Sequence, residues 1–176
     1  MRRLVLLACL GLGLPLLGQS VDAAVGIGTA AAGHFSGGAW PSVALTGMFN
    51  QHVGVAGEFV VRTSSPRNAF NAPNYRPKTM DFNLALRPTR KAWTPELQLG
   101  YGRLVTEPNN GDEIACLQTP CALPPAVWKN AAHLGVLAKT YLSHGAFLRL
   151  EFHQLIGKNI DHPSRFAISV GYTFGK

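Results

Sequence analysis

One stretch near the C-terminus, Arg165 to Phe174, constrains this chain more than any other feature. Phe166, Ile168, Val170, Tyr172 and Phe174 fall on one parity, and Ala167, Ser169, Gly171 and Thr173 on the other. Side chains of a strand alternate between its two faces, so this is a strand with one bulky apolar surface and one small, polar surface. A tilted strand of about 9–11 residues is long enough to cross a bilayer. Bulky aromatics on the apolar face suit a lipid boundary, and the stretch is expected to be the closing strand of a transmembrane β-barrel.

Seven further stretches repeat the pattern. The weakest is the first, Ala24–His34, rich in glycine and alanine. Ser42–Asn50, Val53–Arg62, Thr79–Arg87, Trp93–Arg103, Ala131–Leu142 and Ala146–Ile156 follow. Pro88 ends the fourth strand because proline cannot donate to a ladder. The longest apolar run after the N-terminus is too short for a membrane helix of ~20 residues. Hydropathy alone would miss a barrel, in which alternation dilutes the apolar face. The fold class expected is all-β, an eight-stranded antiparallel up-and-down barrel.

The charges choose between a barrel and a soluble sandwich. Only 14% of the 176 residues are charged, for a formal net charge of +7. Glu58, Arg62, Asp81, Arg87, Glu96, Lys139, Arg149 and Glu151 all lie opposite the bulky apolar face, as do His133 and His153. Arg103 is the exception. Both signs on the inner face suit a small barrel packed with a paired polar network, and these ten residues are the expected lumen network. The connections also alternate: Phe35–Pro41, Thr63–Lys78, Leu104–Asn130 and Gly157–Ser164 are long, while Asn50–His52, Pro88–Ala92 and Ser143–Gly145 are short. Outer-membrane barrels have this rhythm, with short turns in the periplasm and longer loops outside.

The N-terminus carries a targeting pattern. Arg2 and Arg3 precede an apolar core, Leu4–Leu17, that Pro15 and Gly18 interrupt, and Val21-Asp22-Ala23 offers a small residue before a cut. The expected division is a signal peptide over 1–23 and a barrel domain over 24–176, with cleavage after Ser20 as the other candidate. Cys9 lies within the apolar core and leaves with it.

Signal peptide, eight alternating strands and the terminal Val170-Gly171-Tyr172-Thr173-Phe174 together resemble the small outer-membrane β-barrels of the OmpA/OmpX-like superfamily. The resemblance covers essentially all of the mature chain. It implies integral residence in a bacterial outer membrane and an assembly signal, carried by Phe166, Tyr172 and Phe174, that the barrel assembly machinery recognises. In that family an aromatic is usually last, whereas here Gly175 and Lys176 follow. The family includes structural anchors, adhesins, narrow pores and a few lipid-modifying enzymes, so the fold does not fix the function.

Cys116 and Cys121 remain after processing, both in the longest loop. In an oxidising compartment this pair, with Pro120 between, is expected to form a loop disulfide; free thiols are the alternative. Two cysteines without a histidine pair nearby make a poor zinc site, and no cofactor or metal is expected. Glu151 and His153 faintly resemble the histidine strand of lipid A deacylases, without the adjoining serine, so an enzyme is not the expectation. Basic residues collect around the outer loops: Arg67, Arg76, Lys78, Lys158 and Arg165. These are candidate contacts for phosphates of outer-membrane lipids; otherwise they are a solvated rim. The expected role is structural or surface-interacting, through extracellular loops that could meet an outside partner, with no nucleic acid involved. A narrow pore or a lipid-modifying enzyme are the alternatives.

Overall fold

The computed structural model describes residues 20–31, 37–63, 78–89, 91–106, 127–158, 160 and 162–175. Eight strands appear in chain order: β1 (Ser20–Ala31), β2 (Gly37–Met48), β3 (Val53–Val61), β4 (Lys78–Leu86), β5 (Trp93–Thr106), β6 (Val127–Ser143), β7 (Ala146–Ile156) and β8 (Ser164–Gly175). Each pairs antiparallel with the next, and β8 returns to β1 from Ser20 against Gly175 to Ala31 against Ser164. The sheet is a closed barrel without an open edge, as the alternation predicts.

The short connections are built from turn chemistry. Between β2 and β3 the Asn50 side-chain oxygen accepts from the backbone N–H groups of His52 (2.7 Å) and Val53 (2.9 Å). Between β6 and β7, His144 (φ 43°) and Gly145 (φ 95°) are both left-handed, the two-residue hairpin turn whose twist matches its strands. At the opposite end of the barrel lie the other four connections, of which 62–77 and 107–126 are the longest.

The strand bounds differ most from expectation in three places. β5 and β6 continue to Thr106 and from Val127, so the third long connection loses both of its flanks to the ladder. Their extra residues lack bulky apolar alternation, which hides them in the sequence. β2 begins at Gly37, inside the expected first loop. Most consequential, β1 begins at Ser20, and Ser20, Val21, Asp22 and Ala23 pair with β2 and β8 on either side. The division at Ala23 therefore cuts through a strand. The polar end expected of a leader and the start of a small-residue strand look alike in sequence, and the two readings overlap at Ser20 to Ala23.

The two faces separate as predicted. Val25, Leu45, Phe82, Leu150 and Val170 are among many large apolar residues that stay exposed around the outside. Such a belt, far more extensive than a soluble monomer tolerates, is the surface of a protein that lives in lipid. Among the described residues no helix is long and apolar enough to cross a membrane; the strands do the crossing.

Candidate functional site in the lumen

The structure places all ten expected network residues inside: Glu58, Arg62, Asp81, Arg87, Glu96, His133, Lys139, Arg149, Glu151 and His153 are each at most 8% exposed. Inward-facing glycines make room for them. A Cβ on Gly135 would lie 3.3 Å from both His133 and His153, and one on Gly100 would lie 2.5 Å from the side-chain oxygen of Asn83.

Nearer the short turns sits a quartet. The Arg87 guanidinium donates to Asp22 (2.5 Å) and to Glu96 (2.6 Å), and the Lys139 ammonium donates to Asp22 and lies 3.9 Å from Glu96. Thr173 donates its hydroxyl to the other Asp22 oxygen at 2.5 Å. Two carboxylates and two cations cancel, which is the condition for keeping charge in an interior. The Lys139 ammonium also lies 4.4 Å from the centroid of the Phe147 ring.

Above it is a larger cluster. Arg165 donates to Glu58 at 2.5 Å, and Arg149 donates to Glu151 at 2.8 Å and to Ser169 at 3.0 Å. His153 Nε2 meets Glu151 at 2.8 Å, its Nδ1 meets His133 Nε2 at 2.9 Å, and His133 Nδ1 meets Asn83 Oδ1 at 2.7 Å. The imidazole centroids are 5.1 Å apart with planes 27° apart. That spacing, with a short N···N contact, sets the rings nearly tip to tip, joined by a hydrogen bond. Their facing nitrogens share a proton and do not converge on a common ligand position.

Glu58, Glu151 and His153 bring three ligand-type atoms within 4.8 Å of one another. The Arg165 guanidinium nitrogen, 2.5 Å from Glu58 and 3.7 Å from Glu151, holds the place a cation would take between those carboxylates. Glu151, His153 and Ser169 are also together, but Ser169 donates its hydroxyl to Glu151 and not to His153. A serine nucleophile needs the histidine as its proton acceptor, so this is not the arrangement of an activated serine.

The loop end of the lumen is closed by an apolar layer of Ala30, Trp40, Val60, Leu104, Ala131, Leu155 and Ile160. Arg62 lies over the Trp40 ring at 5.9 Å. Between this layer and the upper cluster is a cavity of about 30 Å³ bordered by Thr79, Asp81, His133, His153 and Arg165. It is large enough for a water molecule. Asp81 Oδ1 and Arg165 Nη1, both buried on its border, make no hydrogen bond among the described residues.

Six members of the network lie outside the sequence expectation: Asp22, Asn83, Gln98, which donates to Glu96 at 2.7 Å, Arg165, Ser169 and Thr173. Asp22 falls within the expected leader, while Asn83, Gln98, Ser169 and Thr173 are uncharged residues on the inner parity. Arg165, expected among the lipid-phosphate contacts, is instead 7% exposed and bonded to Glu58 in the lumen. Its parity with Ser169 and Thr173 was the available signal. Of the other candidates, Lys78 and Lys158 are exposed. Arg67, Arg76, Cys116 and Cys121 lie outside the described residues. Phe166, Tyr172 and Phe174 face outward from β8, with the rings of Tyr172 and Phe174 5.0 Å apart.

A closed antiparallel barrel, apolar outside and charge-paired inside, defines the class: this is a transmembrane β-barrel. No family model matches the chain, and no curated protein matches it. Solved structures do. The N-terminal β-barrel domain of Pseudomonas aeruginosa OprF superposes with a TM-score of 0.64 at 10% identity, covering 89% of this chain and 98% of that one. Ail, the attachment invasion locus protein of Yersinia pestis, gives 0.60 at 11% identity over 89% and 99%. The outer membrane protein OprG of Pseudomonas aeruginosa gives 0.53 at 12% identity over 90% and 97%. The fold is that of the small eight-stranded outer-membrane barrels.

Proposed function

We propose that this protein resides in a bacterial outer membrane as a sealed barrel and acts on the outside, through the loops it anchors. The observation that carries this reading is the filled lumen. Two ion-pair clusters cross-link opposite walls, and an apolar layer closes the loop end above them. A barrel of eight strands has an interior just wide enough for side chains, and here they use it. The interior offers little to a passing solute, and its buried histidines and carboxylates offer little to a substrate. What remains for contact with the surroundings is the loop end, where the connections 62–77 and 107–126 both emerge.

The test has two arms. Purified protein in planar bilayers is expected to show little or no steady conductance. Reproducible channels altered by substitutions at Glu58, Arg149 or Glu151 would favour transport instead. Deleting Pro108 to Pro125 is expected to leave a heat-resistant, membrane-inserted barrel that has lost its outside contacts. Surface binding that persists in the deletion would remove this loop from the interaction, and a barrel that no longer assembles would make the loop structural.

A further inference from the structure

Every described aspartate and glutamate points into the lumen, and so do Arg62, Arg87, Lys139, Arg149 and Arg165. Two cations on neighbouring strands do not. Lys78 begins β4 and Arg103 lies near the end of β5, both exposed on the outer face at the loop end. Register builds a small patch around them. One row across three strands is Lys78, Val105 and Trp128; the row beneath it is Met80, Arg103 and Asn130. Diagonal neighbours across strands are about 7–8 Å apart, within reach of long side chains. The Arg103 guanidinium lies over the Trp128 indole at 5.0 Å, so the side chain leans toward the loop end and away from the middle of the membrane, as a snorkelling arginine does.

Height fixes what the patch meets. Trp93 marks the other end of β5, exposed on the same face. The roughly ten residues between Trp93 and Arg103, at about 3.4 Å each and a tilt of ~40°, rise about 26 Å. The apolar band of an outer-membrane barrel is about 25 Å tall, flanked by aromatic girdles. Trp93 and Arg103 therefore lie at its two boundaries, and Trp128 stands in the outer girdle. No described carboxylate faces outward to neutralise Arg103 or Lys78.

We propose that Arg103, Lys78 and Asn130, with Trp128 beside them, bind a phosphate group of an outer-leaflet glycolipid on the outer wall of β4–β6. Arginine presents its planar fork to two phosphate oxygens, lysine adds a point charge, and the amide serves a neighbouring hydroxyl. Met80, 50% exposed, lies against the lipid's apolar part. The inference rests on the membrane-barrel reading and is independent of whether the loops bind a partner.

The experiment titrates refolded full-length mature protein in a zwitterionic detergent, following tryptophan fluorescence. The probes are lipid A carrying its phosphates, lipid A stripped of phosphate, and inorganic phosphate. Saturable binding of the phosphorylated lipid is expected, with the stripped lipid and the free ion each at least roughly tenfold weaker. The pair Lys78→Gln and Arg103→Gln is expected to weaken lipid binding roughly tenfold, and Arg103→Lys less than Arg103→Gln. Heat-modifiable mobility on gels checks that each variant is folded; if the double variant does not refold, the single substitutions carry the comparison. Equal binding of the stripped lipid, or unchanged affinity in folded variants, overturns the proposal. Equal binding of inorganic phosphate overturns the lipid as its source. Neither conductance nor loop deletion enters this readout, so the scaffold reading can fail while this one stands.

Discussion

Replacing Asp22 tests the lower ion quartet at its most connected member. Its carboxylate is 1% exposed and accepts from Arg87 at 2.5 Å, from Lys139, and from Thr173 at 2.5 Å. Asp22→Ala leaves Arg87 bonded to Glu96 at 2.6 Å, but leaves Lys139 with a carboxylate no nearer than 3.9 Å. The quartet passes from neutral to one excess positive charge in an interior that cannot solvate it. Removing one partner of a buried pair costs about 3–5 kcal/mol, and the retained Arg87–Glu96 pair argues for the lower end. The decisive comparison is Asp22→Ala combined with Lys139→Met. Together they restore neutrality and place an apolar chain beside Phe147, so the double variant is expected to recover most of the loss. The assay is reversible denaturant unfolding in detergent micelles, followed by tryptophan fluorescence. A single-variant loss below about 1 kcal/mol, no larger than an exposed pair gives, refutes the reasoning. So does a double variant no more stable than Asp22→Ala.

Other outcomes follow from the same geometry. The mature protein is expected to retain Asp22, with the leader cut at or before Ser20; an intact mass corresponding to a start at Ala24 would refute this. Val170→Arg, on the outer face of β8 where Val170 is 53% exposed, is expected to cost roughly 2–4 kcal/mol if it sits near the bilayer midplane; full insertion and unchanged unfolding would reverse the face assignment. Gly100→Ala places a Cβ 2.1 Å from the Phe82 carbonyl oxygen and against Asn83, and overpacking of this kind costs about 1–3 kcal/mol. It is expected to lower the unfolding midpoint, and wild-type stability would show that the lumen wall yields there.

Alternation made the walls legible. The expected and observed bounds of β7 agree at Ala146 and Ile156, because apolar and charged residues take turns along it and the neighbouring turn is strongly marked. β1 is less legible: its inner parity carries Ser20, Ala24, Gly26 and Gly28, which signal little beyond small size, and its start runs into the stretch expected to be a leader. Parity also shows which charges face the lumen, yet it says nothing of their partners. Asp22 meets Arg87 and Lys139 across the barrel, a pairing set by closure and strand stagger, properties of the whole sheet that no local window contains. Arg103 was visible as the one charge on the wrong parity. Its place beside Trp128 required the β5–β6 register, whose last rungs lie beyond the recognisable pattern.

The closing seam between β1 and β8 has a consequence for how the barrel forms. Thr173 reaches Asp22 across it, and Arg165 on β8 reaches Glu58 on β3. These bonds join β8 to residues 107 and 151 positions earlier in the chain, so they are not complete until the last strand docks. Contacts so distant along the chain repay their loop-closure entropy late, which makes the final docking slow. Until then the charges of both clusters stay hydrated, and desolvation and ion pairing happen together in one cooperative step. Interactions completed after the rate-limiting barrier act mainly on the rate of unfolding. The network would thus serve as a latch, with little influence on how quickly the barrel assembles and much on how long it stays shut.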